Sequence, residues 1–169
     1  MIPNIFIFVL IKYPDMIQRI QTLFLLIADL LIAILFFVPF AEMYGKGSKL
    51  FLFYLSGIIS EGTDKGEVIQ KSWPLLFLAC LILVLVNLVI IQYKSRQRQI
   101  NLSLLTIVLL LGLFSSIYFS VWECNSLLGG NYSMKISFTI PLIAAIFVYL
   151  AIRRIKKDEK LVKSIDRIR

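Results

Sequence analysis

An aspartate inside an otherwise apolar run is the strongest candidate for chemistry in this sequence. Asp29 stands among leucine, isoleucine and alanine residues within residues 20–41. A charged side chain in the middle of a lipid bilayer costs at least about 2.5 kcal/mol, so residues of this kind commonly mark proton or ion pathways. At the rise of an α-helix, Asp29 would lie about 13 Å from the basic end of its run.

Two further polar residues lie at similar depths in other apolar runs and could meet this carboxylate. Counted along their own helices at the same rise per residue, Asn87 and Thr106 are each about 9 Å from the nearest basic segment. We therefore predict an intramembrane polar cluster of Asp29, Asn87 and Thr106, in which the amide donates to the carboxylate. The cluster could handle protons or cations. Alternatively, a protonated Asp29 could simply join neighbouring helices by hydrogen bonds, or Asp29 could be tolerated near the membrane interface.

The residue types that are missing exclude most forms of catalysis. The 169 residues include no histidine, so there is no imidazole acid or base and no histidine-containing triad. Cys80 and Cys124 lie far apart without a CxxC pair, which predicts neither a zinc site nor a disulfide. Gly129–Gly130 is a turn pair that no phosphate-loop lysine follows. We expect no catalytic residues, no metal and no cofactor.

The composition indicates that these residues are positioned by membrane-spanning helices. The chain is 59% hydrophobic and 17% charged, with a mean hydropathy of +0.87. Ordinary globular domains are roughly 45–50% apolar and about 25% charged. Apolar runs at residues 20–41, 73–92, 100–121 and 138–152 predict an all-α bundle of four transmembrane helices. Pro39 can stop the first helix.

The charges between these runs indicate an orientation. The N-terminal segment, the turn at residues 93–99 and the tail at residues 153–169 carry net charges of +1, +3 and +5. The connecting segments 42–72 and 122–137 are neutral. Because cytoplasmic loops are enriched in Lys and Arg, we expect both termini in the cytoplasm.

The two neutral segments are expected to form a small cap on the opposite side. The segment 42–72 is too long for a bare connector and contains an aromatic run, Leu50–Leu55, too short to span a bilayer. We predict that this run is a strand paired with a second strand near Tyr132–Ser137. Alternatively, its rings rest in the membrane interface without forming a strand.

The third run contains small residues at helical spacing. Gly112, Ser116 and Ser120 recur every four residues, a pattern that lets helix backbones approach closely. We predict helix packing at this stripe, either within the chain or with a second copy of it.

The basic tail has the pattern of an amphipathic helix. Apolar residues recur at helical spacing among eight cations, which are Arg153, Arg154, Lys156, Lys157, Lys160, Lys163, Arg167 and Arg169. We predict that this cytoplasmic helix contacts anionic lipid. It could also serve only to orient the chain, or bind a protein partner through Leu161, Ile165 and Ile168. The mixed charge beside a membrane, without aromatics, does not favour nucleic acid.

The first 15 residues do not fit the pattern of spans. Residues 5–11 are apolar but too short to cross a bilayer, and neither a basic n-region nor a small-residue cleavage site marks a signal peptide. Met16 has the flanking sequence of a normal start for an uncleaved first helix. We expect that translation begins at Met16, that residues 1–15 are a non-native or disordered extension, and that residues 16–169 form one membrane domain.

Two terminal motifs resemble a known family. The chain reads Met16-Ile-Gln-Arg-Ile-Gln-Thr22 near its start and Lys157-Asp-Glu-Lys-Leu-Val-Lys-Ser-Ile-Asp-Arg-Ile-Arg169 at its end. Both are similar to motifs in a family of uncharacterised bacterial inner-membrane proteins, a domain of unknown function with four helices. The resemblance implies a multi-pass protein of the bacterial cytoplasmic membrane and assigns no catalytic residue. Asp29 departs from the apolar run of that family.

These observations favour a membrane protein with a structural or partner-interaction role over an enzyme. The alternative is a small transporter or channel subunit with Asp29 on its polar path. Transport is disfavoured because the sequence lacks repeated halves, broken helices and multiple buried charges. An intramembrane hydrolase would need a nucleophile and a base that Asp29 alone does not supply.

Overall fold

The long apolar runs fold into helices, and the cap segments fold into a sheet. A computed structural model describes residues 14–44, 50–61, 67–92, 95–128 and 131–166. The helices are α1 (Pro14–Leu35), α2 (Trp73–Ile91), α3 (Arg96–Leu128) and α4 (Ile140–Asp166). The strands are β1 (Ala41–Tyr44), β2 (Leu50–Tyr54), β3 (Gly57–Glu61), β4 (Glu67–Lys71) and β5 (Asn131–Met134). A short 3-10 turn, Ile136–Thr139, precedes α4.

Three of the four apolar runs predict the position of a helix well. Helix α2 matches the predicted 73–92 to within one residue, and Pro74 lies in its first turn, where a missing N–H costs nothing. Helix α4 continues through the basic tail to Asp166. Helix α3 extends beyond the predicted 100–121 at both ends, so residues Trp122–Leu128 are helical and not part of a loop. Hydropathy marks only the apolar part of a helix, whereas polar residues such as Arg96 and Glu123 continue it.

The predicted end of the first helix at residue 41 is wrong. Helix α1 ends at Leu35 and tightens into i→i+3 turns, in which Phe36 N donates to Ala33 O at 3.2 Å and Phe37 N to Ile34 O at 3.0 Å. Pro39 explains the early end, because a helical proline clashes with the carbonyl four residues earlier and pushes the preceding residue out of the helical region. Residues 1–13 lie outside the described residues, so the expected start at Met16 stays a prediction.

The cap is a five-stranded antiparallel sheet with strand order β4-β3-β2-β1-β5. Strands form at Leu50–Tyr54 and Asn131–Met134, close to the two predicted positions. The predicted direct pairing of these two strands is wrong, because β1 lies between them. In β1, Glu42 pairs with Leu52 of β2 on one side and with Ser133 of β5 on the other.

All four helices meet the sheet at the same end of the bundle, which we call the sheet end. There α1 and α3 end, and α2 and α4 begin. The opposite end, where Arg96 begins α3 and Arg153 lies on α4, is called the basic end. Around the bundle the helices pack in the order α1, α4, α3, α2, and α2 returns to α1.

Small buried side chains let α4 approach its neighbours closely. Ala144 and Ala151 of α4 and Ala28 of α1 are completely buried, and Val148 lies one turn from each of the two α4 alanines. Phe24 of α1 and Phe147 of α4 stack beside them with ring centroids 6.2 Å apart. The α1–α4 contact is the most extensive helix contact in the described structure.

Enlarging one of these alanines should overpack the bundle. We expect Ala144→Leu to lower the free energy of unfolding in detergent micelles by about 1–3 kcal/mol, because the added carbons have no space. Ile146→Leu, at an outward-facing position of the same helix, is the control and should change it little. Equal stability of both variants with the wild type would contradict the close packing of α4.

Candidate functional site

Asp29 and Asn87 lie together, as the sequence predicts. The amide Nδ2 of Asn87 donates to Oδ1 of Asp29 at 3.1 Å and also to the carbonyl of Leu83 at 2.9 Å. Asn87 is exposed on the outside of α2, and Asp29 is half-buried on α1. The pair therefore bridges the outward-facing groove between α1 and α2, and does not lie in the centre of the bundle.

On α2 the pair lies near the basic end, whereas on α1 Asp29 is six residues before Leu35, the last residue of that helix at the sheet end. Asn87 is four residues before Ile91, the last residue of α2, which is about 6 Å at the helical rise.

Thr106 does not join this pair in a hydrogen bond. Its hydroxyl Oγ1 donates to the carbonyl of Leu102 in its own helix at 2.9 Å, and the side chain is completely buried. Helices α1 and α3 lie diagonally across the bundle, which separates Thr106 from Asp29. The three-residue cluster is thus reduced to an outward-facing pair and a separate buried threonine.

A buried polar stripe on α3 was missed by the sequence analysis. Gln99, Ser103 and Thr106 follow one another at i, i+4 and i+7, and all are buried. Gln99 Nε2 donates to the carbonyl of Val89 in the last turn of α2 at 3.2 Å, and Ser103 Oγ donates to Gln99 O at 2.8 Å. The spacing on one helix face was the available signal. Gln99 thereby joins the first turn of α3 to the last turn of α2 and donates to an α2 carbonyl that has no acceptor role within its own helix ladder.

The small-residue stripe of α3 does not pack against another helix at Gly112. Gly112 is exposed, and a Cβ atom placed on it would meet nothing within 4 Å among the described residues. Ser120 Oγ donates to Ser116 O at 2.9 Å along the helix. The buried face of α3 instead consists of larger residues, which are Leu110, Leu113, Ile117, Val121 and Cys124. Packing with a second copy at Gly112 stays a prediction.

Basic residues line a cavity at the basic end of the bundle. This basic cavity has a volume of about 600 Å³. Its described lining residues are Phe24, Leu150, Arg153, Arg154, Lys156 and Lys157. The side chains of Lys160 and Lys163, and the residues Arg167 and Arg169, lie outside what the structure describes.

A second, smaller cavity lies between the sheet and α3. It measures about 80 Å³, and Phe53 of β2, Ser72 and Ser120 are among the residues that line it, with Glu123 and Cys124 on the α3 side. Among these lining residues, Cys124 is a free cysteine and is buried. Across the described ranges, no group of three His, Cys, Asp or Glu side chains comes together to hold a metal ion.

Comparison with known proteins identifies a family but no activity. The family model described as Domain of unknown function (DUF4293) matches residues 17–168, which is all but the first 16 residues and the last one. No curated protein matches the sequence. The expected resemblance to an uncharacterised family is thereby confirmed.

The hydrogen bond between Asp29 and Asn87 should contribute to stability as a coupled pair. A double-mutant cycle of Asp29→Ala and Asn87→Ala should give a coupling energy of about 0.6 kcal/mol, the average for hydrogen bonds between membrane helices, and no more than about 1.7 kcal/mol. The measurement is the free energy of unfolding in mixed micelles. As control, Ser115→Ala removes a hydroxyl that bonds only to its own helix, and it should be additive with Asp29→Ala. Additivity of the Asp29 and Asn87 variants would contradict the contact.

Proposed function

The chain belongs to the family of the domain of unknown function DUF4293, and we propose that it is a four-span protein of the bacterial cytoplasmic membrane. In this proposal it has no catalytic activity. It acts through its structure and through contacts with lipids and a protein partner at the basic end.

The outward surface of the helices carries this proposal. Three helices in the described structure are long and apolar enough to cross a membrane, at Trp73–Ile91, Arg96–Ser126 and Ile136–Lys157. Their apolar side chains face outward as well as inward, as in Phe77, which is 70% exposed. Exposure of such an apolar surface to water would be strongly unfavourable, whereas lipid solvates it.

Helix α1 is proposed as the fourth span. Its apolar described part, Ile20–Leu35, is shorter than the other three. Leucines 23, 26 and 30 are exposed on its outer face, which fits contact with lipid. The sheet follows α1 directly at Ala41, so the cap can enter the interface where this helix ends early.

The charges and aromatic residues support an orientation with the basic end in the cytoplasm. Arg96, Arg98 and the cations of the α4 tail lie at one end, which fits the enrichment of Lys and Arg in cytoplasmic loops. Two exposed tryptophans, Trp73 and Trp122, lie at the sheet end. Tryptophan at that level is typical of the interface between lipid and water.

The length of α4 supports a role for its tail at the membrane surface. The helix has 27 residues and is therefore about 40 Å long, more than the hydrocarbon thickness of about 30 Å. Its last turns carry most of the basic residues, together with Leu161 and Ile165 at helical spacing. This pattern fits contact with anionic lipid and with an apolar face on a partner.

The alternative, a transporter or channel subunit that uses Asp29, receives less support from the geometry. Asp29 faces an outward groove, and its partner Asn87 is about 6 Å from the basic end of α2. The buried hydroxyls of Ser103 and Thr106 bond to the backbone of their own helix. A relay needs polar groups that continue through the interior.

The proposed orientation predicts which end of the chain is accessible from outside. In a chain carrying Cys80→Ser and Cys124→Ser, Ser133→Cys at the sheet end should react with a membrane-impermeant maleimide in intact spheroplasts. Ser164→Cys in the tail should react only after lysis. Both substitutions are nearly isosteric, which keeps the comparison matched. Labelling of both sites in intact spheroplasts, or of the tail alone, would contradict the four-span, cytoplasmic-tail arrangement.

A partner role predicts a contact that depends on the tail. Crosslinking in native membranes, followed by purification, should recover a specific partner with the full chain and lose it when residues 156–169 are deleted. A chain with Phe77→Leu, altered near the sheet end of α2 and far from the tail, is the control and should retain that partner. Recovery of the same proteins with and without the tail would count against this role.

A further inference from the structure

The basic cavity is lined by both apolar and positively charged side chains. Phe24 of α1 and Leu150 of α4 provide half-buried apolar walls. Arg153, Arg154 and Lys156 follow within two turns of Leu150, and Lys157 completes the lining. A ligand that fits must therefore carry negative charge at one end and hydrocarbon at the other.

All four cations are exposed, and no carboxylate of a described side chain lies within ion-pair distance of them. The side chains of Asp158 and Glu159, which follow them on α4, lie outside what the structure describes. The described ion pair at the sheet end is different, since Lys135 Nζ contacts Glu42 Oε2 at 2.9 Å. Arginines suit a phosphate in particular, because the guanidinium group can donate two parallel hydrogen bonds to its oxygens.

The cavity lies at the level where lipid headgroups would be found. Phe24 is five residues before Asp29, about 7.5 Å toward the basic end. Asn87, bonded to Asp29, is about 6 Å from the end of α2. Phe24 is thus about level with the last turn of α2. The cations lie further toward the basic end, beyond the apolar surface of the bundle.

We propose that this cavity binds one anionic phospholipid. Its phosphate lies among Arg153, Arg154, Lys156 and Lys157, and the upper part of an acyl chain lies against Phe24 and Leu150. The inference rests on the proposed membrane location and names the lipid that the basic end would contact. The volume of about 600 Å³ suits a headgroup with the first carbons of a chain, while the rest of the chain lies along the exposed apolar faces of α1 and α4.

Binding to this cavity differs from general attraction to a charged surface, and a matched pair of variants separates the two. Arg153→Gln with Arg154→Gln removes two charges from the cavity. Arg96→Gln with Arg98→Gln removes two charges from the first turn of α3, at the same end of the bundle but outside the lining. Surface attraction alone would make the two double variants equivalent.

The test is native mass spectrometry of the full chain in detergent with added dioleoylphosphatidylglycerol or dioleoylphosphatidylcholine. The wild type should retain one phosphatidylglycerol in preference to phosphatidylcholine. The Arg153/Arg154 double variant should bind it about thirtyfold more weakly. The Arg96/Arg98 double variant should lose less than about threefold, because those charges act only at a distance. Equal loss in both, or no headgroup preference in the wild type, would overturn the proposal.

Two further experiments test whether the apolar wall binds an acyl chain and whether the phosphate belongs to a lipid. Leu150→Trp should fill the cavity and weaken binding without a change in charge, whereas Val108→Trp, on the outer face of α3 and away from both α1 and α4, should not. Glycerol 3-phosphate should fail to compete at concentrations that saturate the lipid. Competition by glycerol 3-phosphate, or equal binding by both tryptophan variants, would show that no acyl chain is bound and would overturn the proposal.

The lipid proposal can fail separately from the proposed function. Correct maleimide labelling with no preference for phosphatidylglycerol would reject the lipid site and leave the four-span arrangement standing. Labelling that contradicts the arrangement would reject the membrane orientation whatever the lipid result. Thermal melting of each variant in the same detergent excludes loss of fold as the cause of weaker binding.

Discussion

The pairing of β1 with β5 determines how the helices are arranged. Strand β1 follows α1 after a short turn, and β5 leads into α4, so hydrogen bonds between these strands place the two helices side by side. Three contacts reinforce the junction. Lys135 N donates to Phe40 O at 3.0 Å, Ser137 Oγ donates to Pro39 O, and Lys135 pairs with Glu42. The extensive α1–α4 contact and the basic cavity between these helices both follow from this junction.

The sequence predicts well those elements that depend on hydropathy and local chemistry. Helix α2 could be placed to within one residue, because its apolar run is bounded by Pro74 at one end and by a basic turn at the other. The strand at Leu50–Tyr54 could be recognised because an aromatic run of this length is too short to span a bilayer. The contact between Asp29 and Asn87 followed from counting residues along two helices, since depth in a bilayer is fixed by the helical rise.

Features that depend on three-dimensional pairing could not be predicted in the same way. Ala41 stands at the end of an apolar run and Glu42–Tyr44 begin the connecting segment, so these four residues have no strand pattern of their own. The true partners of β2 and β5 were therefore missed. Gly112 has the spacing of a packing site, but the rotation of α3 is set by Leu113 and Ile117, which are larger and bury more surface. The buried stripe from Gln99 to Thr106 was not recognised from the sequence. Serine and threonine in apolar helices usually bond to their own backbone, so their presence does not indicate which face of the helix is buried.

The distribution of polar groups bears on how such a protein can act. The hydroxyls of Ser103 and Thr106 are satisfied within α3, and the Gln99 side chain bonds to the end of α2, so these interior groups stabilise helix ends and do not form a path. Among the described residues, two polar features face outward, which are the pair of Asp29 with Asn87 and the cations of the basic cavity. In the proposed membrane arrangement these groups would meet lipid headgroups and neighbouring proteins, which favours recognition at one membrane surface over transport through the interior.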